Sequence, residues 1–253
     1  MTTGIPTWRE EITVRDYETD FTGRWKPSSF FRVMQLVAGI QSTSIGYNFY
    51  ELMDKGMAWV LARTRISIVD FPKIDERIIY HTWLNGVQQK LFFIREFDIT
   101  TIDGKRLARA TTASILIDPQ SRRILSARSL PGHNPDNAAQ VTPLEPLDKL
   151  DVPEGMPAVY RLQAAYSDLD VMGHVNNANY IDWVCSGFPL EKYRQEQLSR
   201  LQLNFLREVK AGDTVTVCAA SQDESGRQWS VSGENDNGER AFDAVVHWQP
   251  RTA

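Results

Sequence analysis

Cysteine is nearly missing from this 253-residue chain, which has only Cys185 and Cys218. Neither stands in a C-x-x-C pair or at Cys/His metal spacing, so a disulfide framework and a zinc ribbon have no support. Each reads as a small buried hydrophobe. Histidine is also scarce, and the four (His81, His133, His174, His247) are scattered; the pattern calls for no metal and no cofactor. No apolar run approaches the roughly 20 residues that span a bilayer. The first residues, MTTGIPTWREEITV, lack the basic start and apolar core of a secretion signal, and a cytoplasmic location is expected. Positive charge is not in excess either. A net charge of -4 gives no reason to expect nucleic acid or an anionic membrane as a partner. What is present is globular: 24% charged and 10% aromatic residues, and length for one large domain or two small ones.

Proline is unevenly spread. Seven of the twelve fall between Pro119 and Pro157, in a segment without sustained periodicity that reads as an extended linker. So long a connection is unusual inside one compact unit, and it is expected to join two. The boundaries are 1–119, a linker 120–157, and 158–253. The flanks repeat one plan. A short strand, a polar turn and a helix-like run (28–46, then 179–187) lead into alternating segments with strand period, and hairpin signals stand near both ends, DGK at 103–105 and DNG at 236–238. Asp20-x-x-Gly23 precedes Asp170-x-x-Gly173 by 150 residues. Hairpin-length connections imply antiparallel pairing. The expected class is α+β, a helix wrapped by a sheet, twice.

The stretch DLDVMGHVNNANY, residues 168–180, stands out. Its asparagines are good helix caps and Gly173 permits a tight turn, which accounts for about half of it. Capping does not account for His174 or for the paired acids. A helix N-terminus also offers unpaired N–H donors and partial positive charge, suited to the oxyanion of an attacked carbonyl. Asp170 is then a candidate general base or nucleophile, and His174 a group that orients water or donates to the carbonyl. The first-half counterpart, DFTGRWKPSS, keeps Asp20 and Gly23 but has Arg24 where His174 stands and Lys26-Pro27 in place of Asn176-Asn177. Chemistry is therefore expected in the second half alone, and acyl transfer is the reaction class.

At these residues the chain resembles a known family. DLDVMGHVNNANYIDW is similar to the active-site segment of hotdog-fold thioesterases. MAWVLARTRISIVDFPKIDERIIYHTWLNG (57–86) resembles the W-V-L…P-x-x-D…T-W pattern of acyl-acyl-carrier-protein (acyl-ACP) thioesterases, built as two tandem hotdogs. The likeness runs from about Trp8 to Trp248. It implies an antiparallel sheet around a long central helix in each half, and hydrolysis of fatty acyl-ACP thioesters. The alternatives are an acyl-CoA thioesterase and a non-catalytic acyl-binding protein. By the same resemblance Asp170, His174 and Glu208 are catalytic, with Asn176 beside them. Val209 stands where plant members carry a cysteine, which excludes a papain-like mechanism, and Met172 where many have an asparagine.

The resemblance places an acyl tunnel in the first half, with Phe30, Phe31, Met34, Leu36, Val37, Trp59 and Leu61 as candidate lining. Phe31, Met34 and Trp59, with Asn177, are taken as substrate-binding. The implied partner is an acyl carrier protein bearing a phosphopantetheine-linked chain, and a homodimer is compatible with the pattern. Carrier proteins are acidic, so the locally basic run with Lys105, Arg106, Arg109, Arg122, Arg123 and Arg128 is a candidate docking surface.

Overall fold

A computed structural model describes residues 7–130 and 146–251. The alternating segments form strands β1 Thr7–Thr13, β2 Ala58–Ile68, β3 Arg77–Gln88, β4 Phe92–Thr101 and β5 Arg106–Ile117 in the first half. The second half has β6 Ala158–Gln163, β7 Glu196–Phe205, β8 Thr214–Ser221, β9 Gln228–Glu234 and β10 Arg240–Pro250. They make one antiparallel ten-stranded sheet in the order β1-β3-β4-β5-β2-β7-β10-β9-β8-β6. Read inward from either edge, the order is the same plan. The two plans join where β2 pairs with β7, from Arg63 opposite Asn204 to Ser67 opposite Arg200. The fold is α+β, two tandem hotdog domains sharing one sheet.

The long helices are α1 Pro27–Ser44 and α3 Asn177–Ser186. Pro27 opens α1 with its φ preset for a first turn. Asn176 caps α3, its Oδ1 accepting from Ala178 N at 2.9 Å. Short helices α2 Phe49–Asp54 and α4 Leu190–Gln195 follow them; at six residues each they carry too little periodicity to be read from sequence. The helices lie side by side, tied by Arg32 to Asp182 at 2.5 Å. Their apolar faces and one face of the sheet form a continuous core that includes Trp25, Phe30, Tyr80, Tyr180 and Phe242.

Of the expected linker, residues 131–145, including His133, lie outside the described residues. Its latter part is a strap on the sheet. Leu147 packs with Ile94 and Ala113, and Val152 and Met156 with Cys218. Its carbonyls accept from long side chains: Leu147 O from Arg63 at 2.5 Å, Asp148 O from Gln202 at 2.8 Å, and Val152 O from Arg240 at 2.8 Å. These bonds satisfy a backbone that has no strand partner. Ile94 and Arg95 alternate along β4, so the strap covers the face turned away from α1. No helix among the described residues is long and apolar enough to cross a membrane.

Candidate active site

Residues 168–176 close into a turn that delivers the chain to α3. Asp170 N donates to His174 O at 2.8 Å and Gly173 N to Asp170 O at 3.0 Å. The Asp170 carboxylate turns back on its own loop, Oδ1 accepting from Met172 N at 2.8 Å and His174 N at 3.4 Å. Gly173 supplies the left-handed residue, φ 74°. Met172 thus contributes its backbone N–H, while its side chain is exposed. The loop docks on the segment after β7: Val175 N donates to Val209 O at 2.9 Å, and Val209 N to the Tyr180 hydroxyl at 3.2 Å. This docking brings His174 Nε2 to 3.4 Å from Glu208 Oε2. Arg122, arriving from the first half, meets the same oxygen at 2.8 Å. Nothing in the sequence signalled Arg122 as a neighbour of Glu208; it comes from the loop after β5, held by a left-handed φ of 57°.

The first half holds the same loop with different chemistry. Asp20 Oδ1 accepts from Thr22 N at 2.7 Å and Arg24 N at 3.3 Å, and Gly23 has φ 76°. Trp25 N donates to Pro72 O as Val175 N does to Val209 O, and the bridge from Arg24 to Lys73 repeats that from His174 to Lys210. These equivalences put Arg24 at the position of His174 and Phe71 at the position of Glu208. There the guanidinium lies 5.9 Å from the Phe71 ring centre and donates to Gln197 of β7. Position 27 is proline, without an N–H, where position 177 is asparagine. In α3, Ala178 N is taken by Asn176 Oδ1 and Asn179 N by Asn176 O. The Asn177 N–H has no partner among the described residues. A histidine, a carboxylate and a free helix-terminal donor therefore coincide in the second half only. The Asp170 carboxylate serves the same loop-closing role as Asp20, a role the sequence reading had not assigned to it.

Asn177 also lines a cavity of about 440 Å³ that extends beneath α1 into the first half, within the size range of small-molecule sites. Of the residues named as candidate lining, Phe31, Met34, Trp59 and Leu61 line it. Phe30 and Val37 are packed into the central core instead, and Leu36 is half exposed. Helical geometry separates them: residues 30 and 37 share a stripe facing the core, and position 36 turns outward. Tyr47, Phe49, Leu52, Met57 and Leu130 line the cavity too, brought by α2 and its flanks. At the other end Ala178 and Phe205 join Asn177, which places the α3 N-terminus at the cavity. Asp170, His174 and Glu208 are outside the lining set.

The chain matches the family model for the acyl-ACP thioesterase N-terminal domain over residues 6–128, and that for the acyl-ACP thioesterase C-terminal domain over residues 154–250. It belongs to the acyl-ACP thioesterase family. A chloroplast acyl-acyl-carrier-protein hydrolase of Cuphea viscosissima is 23% identical over 97% of this chain, which covers 63% of that protein. The chain thus spans just under two thirds of the length of this relative. Its fold is shared with an acyl-ACP thioesterase from Bacteroides thetaiotaomicron, TM-score 0.86 and 23% identity over 96% of this chain and 98% of the other. A 12:0-ACP thioesterase from Umbellularia californica has a TM-score of 0.78 and 19% identity, over 97% and 98%.

In this family member neither cysteine is a nucleophile in waiting. Burial pushes the Cys185 thiol up to about 12 and raises that of Cys218. The basic run is less bare than the sequence suggests. Lys105 pairs with Asp70 at 2.7 Å, Arg106 with Asp98 at 2.9 Å, Arg109 with the same carboxylate at 3.7 Å, and Arg122 with Glu208. These neighbours neutralise much of the charge that primary structure displays.

Proposed function

We propose that the chain hydrolyses fatty acyl-ACP thioesters to free fatty acid and carrier thiol, ending chain elongation. The observation that carries this is the confinement of His174, Glu208 and the unpaired Asn177 N–H to one half, with Asn177 opening onto an apolar cavity. A thiol leaves readily, with a pKa near ~8.5, so the site needs an activated water and an oxyanion donor more than a strong acid. In this reading the acyl chain lies in the cavity and its carbonyl reaches the α3 N-terminus. The Asn177 N–H donates to the developing oxyanion, an interaction commonly worth about 3–4 kcal/mol. Glu208 and His174 hold and deprotonate the water, with Asp170 adding its carboxylate while anchoring the loop. Asn176 acts through its cap, which fixes the donor's direction. Phe31, Met34 and Trp59 receive the chain. Arg123 and Arg128, the two members of the basic run with no carboxylate partner within 4.0 Å among the described residues, are where an acidic carrier would meet positive charge.

The test is steady-state hydrolysis of matched acyl-ACP and acyl-CoA thioesters by the wild type and Asp170→Ala. Preference for the carrier-bound set, lost in the variant, supports the reading. Equal use of both moves the substrate to CoA, and tight acyl binding without turnover removes the enzyme altogether.

A further inference from the structure

The wall of the cavity carries a polar row that an unsubstituted hydrocarbon chain leaves idle. Thr64 on β2 pairs with Thr112 on β5, and Thr112 with Arg95 on β4. Paired residues point to one face, so the three side chains form a line across adjacent strands, and all three line the cavity. Leu84 and Leu203 continue the line on β3 and β7, and Leu84 also lines the cavity, so the polar part of the row is its three central members. Arg95 is 7% exposed. It donates to Gln41 Oε1, to Ser42 Oγ at 3.1 Å and to Thr82 Oγ1 at 3.4 Å. No carboxylate among the described residues lies within 4.0 Å of it. Burial alone pulls its pKa down to about 10, so it stays a cation facing neutral oxygens. The Thr64 hydroxyl is fully buried and has no hydrogen-bond partner among the described residues. A buried donor left unmade costs about 1–3 kcal/mol, and an unneutralised buried cation more.

We infer that this cavity selects acyl chains bearing an oxygen acceptor, a hydroxyl or oxo group within the chain, over the matching saturated chain. Thr64, beside the β2–β7 joint, lies nearer the α3 terminus. Arg95 lies two strand spacings farther, about 10 Å. Arg95, which keeps 7% of its surface exposed, can meet an acceptor directly, and Thr64, fully buried behind the wall, meets one once its neighbours shift; the apolar residues around the row receive the rest of the chain. The inference rests on the cavity being the acyl site and names the substrate class for it.

The experiment pairs binding with turnover. Affinities of a free saturated fatty acid and its mid-chain hydroxy and oxo counterparts are measured by calorimetry, and hydrolysis of the same three chains as acyl-ACP thioesters is followed alongside. The wild type should favour an oxygenated chain by about tenfold or more, the worth of one hydrogen bond to a charged donor. Arg95→Met removes that donor but also the ties to α1. Thr64→Val is nearly isosteric and keeps the fold measurable. Where the preferred substituent sits near Thr64, the Val variant should bring the oxygenated chain toward parity with the saturated one. Arg95→Met should do so for a substituent placed deeper. In both, the readout is the ratio of oxygenated to saturated chain within the same variant, because a loss of packing or of the ties to α1 moves both chains together and leaves that ratio in place. A wild type that binds and hydrolyses the saturated chain as well as every oxygenated one overturns the inference and leaves the thioesterase reading standing. Preferential binding of the oxygenated acid with no hydrolysis of any thioester supports the inference and removes the thioesterase.

Discussion

Asp20 and Asp170 offer a controlled test, because the same loop is built twice and chemistry is expected in one copy. Each carboxylate closes its turn through Oδ1, to the N–H of the second and fourth residues on: 2.7 and 3.3 Å in the first half, 2.8 and 3.4 Å in the second. Alanine at either position removes two backbone bonds from partly exposed donors, and at Asp20 a third from the Thr22 hydroxyl at 2.6 Å. The expected loss is about 1–2 kcal/mol, a fall of about 2–8 °C in Tm for a chain of this size. Asparagine keeps an acceptor oxygen in the same turn and should cost under about 0.5 kcal/mol. Stability should therefore not distinguish the two sites.

Activity should. Asp170→Asn keeps the loop and discards the charge, so kcat is expected to fall about a hundredfold or more if the carboxylate helps activate water. Asp20→Asn, beside Arg24 and Phe71, should leave kcat unchanged. Thermal melts and acyl-ACP steady-state kinetics on all four variants separate the roles. If Asp170→Asn keeps kcat within threefold of wild type, Asp170 is a loop anchor like Asp20, and the chemistry passes to Glu208 and His174.

Glu96 is buried, its Oε2 accepting from Thr111 at 2.7 Å, and desolvation raises its pKa. A carboxyl raised in the folded state contributes stability that is present at low pH and lost as pH rises through the folded value. Glu96→Gln should stabilise the protein by about 1 kcal/mol at neutral pH, and the gain should shrink in melts run below the ordinary glutamate pKa; the same gain at every pH would refute the assignment. A Cβ on Gly233 would lie 2.0 Å from the Phe242 ring. Gly233→Ala is accordingly expected to cost about 1–3 kcal/mol in denaturant titration, and a neutral result would mean that the ring moves freely. Arg122→Ala releases Glu208 from an exposed pair, so stability should change by under about 0.5 kcal/mol while kcat shifts about two- to fivefold. An unchanged kcat would make the pair incidental.

The strands were legible because β2 to β5 and β7 to β10 alternate over seven to twelve residues, and Gly104 and Gly238 stand at two of the turns with positive φ. The repeat was legible from the spacing of two aspartates and two glycines. The β2–β7 joint was not, since pairing between strands more than a hundred residues apart leaves no local pattern. Glu208 was reached through family likeness, for a lone acid after a strand reads as surface charge. Its neighbours explain that silence: the 3.4 Å approach to His174 depends on Val175 docking against Val209, a contact between two ordinary valines. Leu36 was misplaced because a helix apolar on several sides does not say which stripe meets the cavity and which meets solvent.

The two halves differ most in what fills them. α1 has 18 residues and α3 has 10; the longer helix, with α2 after it, roofs a hollow over β4, β5 and β2. In the second half the chain leaves α3 early, and the rings of Phe188 and Tyr193 that follow it pack against the tryptophans of β9 and β10. Phe188 lies 5.4 Å from Trp229 and 5.0 Å from Trp248, and Tyr193 lies 5.0 Å from Trp248. Such packing favours rigidity where the proposed catalytic groups must be held within fractions of an ångström. The hollow half differs at the same place: Arg24, where His174 stands, is spent on a tie to Gln197 of β7, and Pro27 removes the donor that α3 keeps. In the proposed reading, a duplicated fold divides two demands that conflict in a single hotdog, space for a chain and a fixed site for its carbonyl. The joint between β2 and β7 makes the division workable, because it sets the open end of one half against the helix terminus of the other.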